Sequence, residues 1–128
     1  FGVDAFVDHL AQATNRGVHV TVLTRDVADD GENAEHVRRI YETVADSGNR
    51  RHLSLSEYAS DHGRLHAKAL ISDNEKAYVG SANFTNYSLK SAIEIGFIVQ
   101  GSVVDDLVDF FAVVQASSDT YELDQSEF

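Results

Sequence analysis

The 128-residue chain has no cysteine, which excludes disulfide scaffolds and thiolate metal sites. Proline, methionine and tryptophan are absent too. No apolar run approaches the ~18 residues of a membrane-spanning helix. No basic segment followed by an apolar one opens the chain as a secretion signal would. These absences point to a cytoplasmic protein without stable membrane insertion. Disorder is excluded by what is present: 43% hydrophobic against 24% charged residues is enough apolar material for a core. The length suits one domain, on a prior of ~100–200 residues each. The first residue is Phe1 rather than Met, which reads as an excised domain or a piece of a longer polypeptide.

Lysine is scarce, and the formal net charge is −11. Such a charge counts against nucleic acid or an anionic membrane as partner, because phosphate binding needs basic footprints. Its distribution qualifies that reading. All three lysines, Lys68, Lys76 and Lys90, fall between residues 61 and 90, with Arg64 beside them. That stretch carries a net +1 and the remainder −12. An acidic shell around a locally basic segment fits an anionic ligand received at one place.

Val3, Phe6, Val7, Leu10 and Ala11 recur at helical spacing and predict an amphipathic helix over 3–16, closed by Gly17. The alternating, β-branched residues 18–23 predict a strand. Asp26 to Asn33 is an acidic loop, in which Asp29-Asp30-Gly31 reads as solvated rather than as a calcium site. Val37, Ile40, Tyr41 and Val44 predict a second helix over 34–47, and Leu53 and Leu55 a short strand. Residues 65–72 and 76–79 predict a hairpin turning at 73–75, and 93–99 a further strand. Ser102 to Asp105 resembles a capping box, opening a last helix with Val104, Leu107, Val108, Phe111 and Val114 turned inward. Residues 117–128 read as a loose acidic tail, leaving 1–116 as the domain. The order α-β-α-β-β-β-β-α predicts an α/β fold, one mixed β-sheet flanked by helices. The first helix has no strand before it, which predicts one ahead of Phe1.

The chemistry concentrates in His66-Ala67-Lys68, then Asp73, then Gly80-Ser81-Ala82-Asn83. On a strand, His66 and Lys68 project to one face while Leu65, Ala67, Ala69 and Ile71 take the other. Two groups that both gain charge by protonation are costly neighbours unless an anion sits above them. Gly80 allows close backbone approach, and Ser81 and Asn83 offer neutral donors to phosphate-like oxygens. His62 and His66 have metal-like spacing only on a helix, and here the segment reads as strand, so no metal site is expected. The remaining histidines, His9, His19, His36 and His52, read as structural.

This arrangement resembles the HKD motif of the phospholipase D superfamily, H-x-K-x4-D-x6-G-S-x-N. All six fixed positions are filled, by His66, Lys68, Asp73, Gly80, Ser81 and Asn83. Glu94, eleven residues past Asn83, falls where the family has a carboxylate that holds the catalytic histidine. Ala92 stands where many relatives carry Asn. The resemblance implies a phospholipase D-like fold of which this chain is one half. It implies that His66 attacks phosphorus to form a phosphohistidine, with Glu94 fixing its tautomer. Lys68, Ser81 and Asn83 would hold the non-bridging oxygens, while Asp73 and Gly80 shape the motif. It implies no metal and no other cofactor. The leaving oxygen needs an acid opposite His66, which the family takes from a second HKD motif. That motif would come from a homodimer partner or from another part of a longer polypeptide.

The superfamily spans phospholipases, phospholipid synthases and nucleases, so the motif does not choose the substrate. The compact single-motif chain, its lack of a membrane-seeking segment and the arginines Arg50, Arg51 and Arg64 favour DNA or RNA. A phospholipid hydrolase or transphosphatidylase is the alternative, and a non-catalytic nucleic-acid-binding or dimerisation module is another. The excess of Asp over Glu and of Arg over Lys resembles proteins of salt-loving archaea, whose acidic surfaces stay solvated at high salt. High salt would also weaken any steering of a phosphate ligand by charge.

Overall fold

The computed structural model describes residues 4–128, and they form two compact units. Unit 1 comprises residues up to Leu65 together with Ser118–Phe128, and unit 2 comprises His66–Ser117. The sequence-predicted strand ahead of Phe1 and the inward-facing role of Val3 lie outside the described residues.

Unit 1 contains α1 (Asp4–Asn15), β1 (Val20–Arg25), α2 (Gly31–Asp46) and β2 (Leu53–Tyr58). Near its end comes β6 (Thr120–Glu122), numbered by its place in the chain. Helix α1 buries Val7, Ala11 and Thr14, spaced by four and three residues, and Thr14 satisfies its hydroxyl on the Ala11 carbonyl at 2.8 Å. Gly17 ends it at φ 84°, with Gly17 N–H donating to Thr14 and Val18 N–H to Ala13, the paired bonds of a Schellman turn. Helix α2 starts three residues earlier than its apolar period implies. Asp30 is the cause: its carboxylate accepts from the N–H groups of Glu32 at 3.0 Å and Asn33 at 3.4 Å. Strands β1 and β2 pair in parallel, Val20 opposite Leu53 through Arg25 opposite Tyr58. Val7, Ala11, Val22, Val37, Ile40, Val44, Leu53 and Leu55 form the core.

The segment expected as a loose tail differs most from the sequence reading. Thr120–Glu122 forms β6, antiparallel to β2, and Leu123 is buried in the same core at 2% exposure. Leu123, with Tyr121 and Phe128 as the other apolar residues of 117–128, carries too little periodicity to announce a strand. Its burial and its N–H bond to the Leu55 carbonyl at 2.9 Å supply what the pattern lacked.

Unit 2 contains β3 (Ala69–Ser72), β4 (Lys76–Gly80), α3 (Asn86–Lys90), β5 (Gly96–Gln100) and α4 (Ser102–Gln115). Its sheet runs β3-β4-β5, antiparallel throughout. The α/β class stands, with helices flanking sheet. The described strands divide, however, into two three-stranded sheets, one in each unit, rather than one mixed sheet. In α4, Val104 is buried and Leu107, Val108, Phe111 and Val114 are half-buried, as the spacing predicts. Its cap is Gly101 rather than Ser102, so the capping box suggested by Ser102 and Asp105 does not form. The short helix α3 is an addition to the sequence reading, capped by Thr85, which accepts from Ser88 N–H at 3.3 Å.

Candidate active site

All six motif residues and Glu94 lie in unit 2. The β3–β4 hairpin turns on Asp73 and Asn74, at φ 54° and 56°, and Glu75 N–H donates to the Ser72 carbonyl at 3.0 Å. Asp and Asn tolerate this left-handed region better than other side chains, so Asp73 sits where its residue type shapes the turn.

His66 and Lys68 stand just ahead of β3 in irregular chain, not on a regular strand face. The β3–β4 register ends at Ala69 opposite Val79; beyond it Gly80 N–H donates to the Lys68 carbonyl at 3.2 Å and Ser81 N–H to the Ile95 carbonyl at 2.9 Å, the alternation of a central strand between two neighbours. His66 and Lys68 nevertheless meet. Lys68 Nζ is 2.9 Å from Nδ1 and 2.8 Å from Nε2 of the ring, and donates to the His66 carbonyl at 2.9 Å. An ammonium can only donate, so any hydrogen bond in this contact runs from Lys68 to the ring.

Ser81 and Glu94 form a second pair. The Ser81 hydroxyl donates to Glu94 Oε2 at 2.5 Å and accepts from Ile95 N–H at 3.1 Å. These bonds also explain why β5 starts at Gly96 rather than Ile93, since Ile95 spends its backbone N–H on a side chain. Glu94 thus meets Ser81, where the resemblance has it meet His66. Asn83 is exposed, two residues beyond Ser81.

Gly80 faces Gly96 across the end of the β4–β5 ladder. A Cβ on Gly80 would collide with the Tyr78 hydroxyl and stand 2.8 Å from the Gly96 Cα. A Cβ on Gly96 would stand 2.7 Å from Tyr78 Cζ. The Tyr78 ring and the Gly96 backbone therefore favour glycine at the motif position, and the ring does so at Gly96, a residue the sequence reading passed over. An isolated glycine in a β pattern was the available signal. Phe84 is half-buried and packs edge-on against Tyr78, ring centroids 6.2 Å apart. Tyr87 and Leu89 on α3 are exposed, and so are Ile93, fully, and Ile95, at 69%. Apolar surface thus flanks Glu94 on both sides along the chain.

The arginines expected to track a backbone lie in unit 1, each with a partner there. Arg50 stacks over the Tyr41 ring at 4.9 Å and donates to the Leu53 carbonyl, while Arg51 Nε donates to His52 Nε2 at 3.2 Å. Arg64 donates to Asp26 at 2.6 Å; with Arg25 adding to it, that bond holds the Asp26 carboxyl below its ordinary range, against a smaller opposing effect of burial. Among the described residues no helix is long and apolar enough to cross a membrane.

Known proteins resemble this chain in sequence and in fold. The sequence model of the family "Cardiolipin synthase, PLD-like domain" matches residues 1–114. Cardiolipin synthase 2 from each of two strains of Staphylococcus epidermidis is 30% identical over 108 residues, 84% of this chain and 21% of the relative. The chain therefore spans about a fifth of the length of the curated relatives it matches. The crystal structure of Nuc from Salmonella typhimurium, a phospholipase D family member, superimposes with a TM-score of 0.75 at 18% identity. That superposition covers 96% of this chain and 76% of Nuc. On the span of the family match, the chain belongs to the phospholipase D-like domain family of the cardiolipin synthase type.

Proposed function

We propose that the chain supplies one half of a metal-independent phosphodiesterase site in which His66 is the nucleophile. The observation that carries this reading is the contact between Lys68 and the His66 ring, inside a motif whose fixed positions are all filled. The ring nitrogen forms a bond to phosphorus as the bond from phosphorus to the leaving oxygen breaks. That oxygen takes a proton from an acid on the opposite side, the histidine of a second motif. The same group then accepts the proton of water or an incoming alcohol, whose oxygen attacks phosphorus and breaks the phosphohistidine bond. Lys68 and Asn83 meet the non-bridging oxygens and the charge that builds on them, joined by Ser81 when its single hydroxyl proton turns from Glu94 to the phosphate. Glu94 supplies the negative charge for the cationic histidine formed by attack. The second motif comes from another copy or from elsewhere in a longer polypeptide.

For the substrate we favour a phospholipid headgroup. The apolar residues Tyr87, Leu89, Ile93 and Ile95 adjoin the site in sequence, a surface suited to acyl chains, and the curated relatives are cardiolipin synthases. The partnered state of Arg50, Arg51 and Arg64 takes weight from the nucleic-acid reading, which the locally basic stretch 61–90 still supports. The test is turnover of phosphatidylglycerol vesicles and of a labelled oligonucleotide, in molar salt with EDTA present. Lipid turnover that disappears in His66→Ala supports the proposal. Cleavage of the oligonucleotide alone transfers the same chemistry to nucleic acid, and inactivity restored by a divalent metal overturns the mechanism.

A further inference from the structure

We propose that Tyr78 is a positioning residue for this site: its ring, seated over the facing glycines Gly80 and Gly96, holds Ser81 in register with Ile95 and Glu94. The inference rests on the functional reading above for its kinetic consequence, but not for its structural one.

Gly80 and Gly96 are the last pair of the β4–β5 ladder. A glycine pair is a weak end for a sheet, because neither residue has a side chain to pack and both regain most backbone freedom when released. Here the Tyr78 ring fills the space that two Cβ atoms would take, so close that either Cβ would collide with it. An aromatic ring laid over glycine is a known means of pinning register in a sheet. Immediately beyond this pair come bonds that place Ser81: its N–H to the Ile95 carbonyl, Ile95 N–H to Ser81 Oγ, and Ser81 Oγ to Glu94. Phe84 packs edge-on against the same ring, so the chain leaving Ser81 is tied to it as well. The Tyr78 hydroxyl contributes only bulk beside Gly80, which separates a ring that positions from a group that reacts.

The test uses the 128-residue chain and amide hydrogen exchange read residue by residue, which requires no turnover. In Tyr78→Ala the Ile95 and Ser81 amides should exchange at least about tenfold faster, while those in β3 keep their protection; in Tyr78→Phe all should stay as they were. Gly96→Ala should reproduce the loss by displacing the ring. In a Tyr78→Ala background, Gly96→Ala should add little, since the clash is gone. Where turnover is measurable, Tyr78→Ala should lower kcat by roughly tenfold or more with KM changed little, and Tyr78→Phe should restore it. Unchanged Ile95 protection in Tyr78→Ala overturns the proposal, and so does a Tyr78→Phe variant as impaired as Tyr78→Ala. Additive effects of the two substitutions overturn it too. If Tyr78→Ala does not fold, Tyr78→Leu and Gly96→Ala are read by the same criteria. A chain inactive on every phosphodiester, yet with these exchange changes, would leave the ring's role standing and refute only the assigned chemistry.

Discussion

At the scale of single residues, two side chains carry separable parts of the proposed reaction. His66 is exposed, so His66→Ala should leave the fold unchanged by circular dichroism and reduce turnover to background. Persisting activity, or a phosphoryl group trapped on another residue, would remove His66 from the mechanism. Lys68→Ala should lower kcat by about two orders of magnitude or more, the scale of losing one preorganised donor at a charged transition state. A change confined to KM would make it a substrate-binding residue only. The motif was legible because its residue types are chemically irreplaceable and their spacing is fixed by a hairpin. The placement of Glu94 was less so. Its contact with Ser81 lies just past the last β4–β5 pair, and no side-chain pattern encodes where that ladder stops. Gly96 and Tyr78 escaped for a related reason: each makes sense only through the other, across two strands.

Among the elements, helices with a clear apolar period were legible to within a few residues, and the short or irregular pieces were not. Helix α2 followed Val37, Ile40 and Val44, and only its start moved, since Asp30 captures N–H groups ahead of the first apolar position. Strand β6 was invisible because three residues cannot show a period, although Leu123 lies fully inside the core. Leu123→Ala should therefore destabilise unit 1 by about 2–5 kcal/mol, the range for emptying a buried leucine site. Urea denaturation followed in unit 1 measures it, and a loss under about 0.5 kcal/mol, as at an ordinary surface position, would mean that the terminal segment contributes little. Helix α2 also holds a pH-sensitive group. Burial lowers the His36 pKa from its ordinary 6.5, and the nearby carboxylates of Glu32, Asp30 and Glu35 only partly oppose it. The unfolded chain then binds this proton more readily than the folded one. Stability from His36 is complete above pH 6.5 and is lost as pH falls from there through the lower folded value. His36→Gln should flatten that slope between pH 7 and 5 in denaturation midpoints, and an unchanged slope would assign the acid sensitivity to other groups.

For the whole molecule, the decisive fact is arithmetic: one motif brings one histidine, and in-line displacement with protonation of the leaving oxygen needs two groups on opposite sides of phosphorus. The chain matches about a fifth of its curated relatives' length, so the second motif has two sources, a second copy or a further stretch of polypeptide. A two-fold axis meets the requirement without any other residue type, because each His66 then serves as the other's opposite group. Its net charge of −11 opposes such pairing at low ionic strength, and salt screens that repulsion, so assembly should be examined by sedimentation at molar salt. Mixing the unmutated chain with an equal amount of His66→Ala, after subunits have exchanged, then separates the two sources. In a shared site every mixed pair has a single histidine and is inactive, so activity should fall to about a quarter of that of the unmutated chain, the fraction of unmutated pairs under random pairing. Activity at half, in proportion to the unmutated chains present, would show that each chain works without a copy of itself.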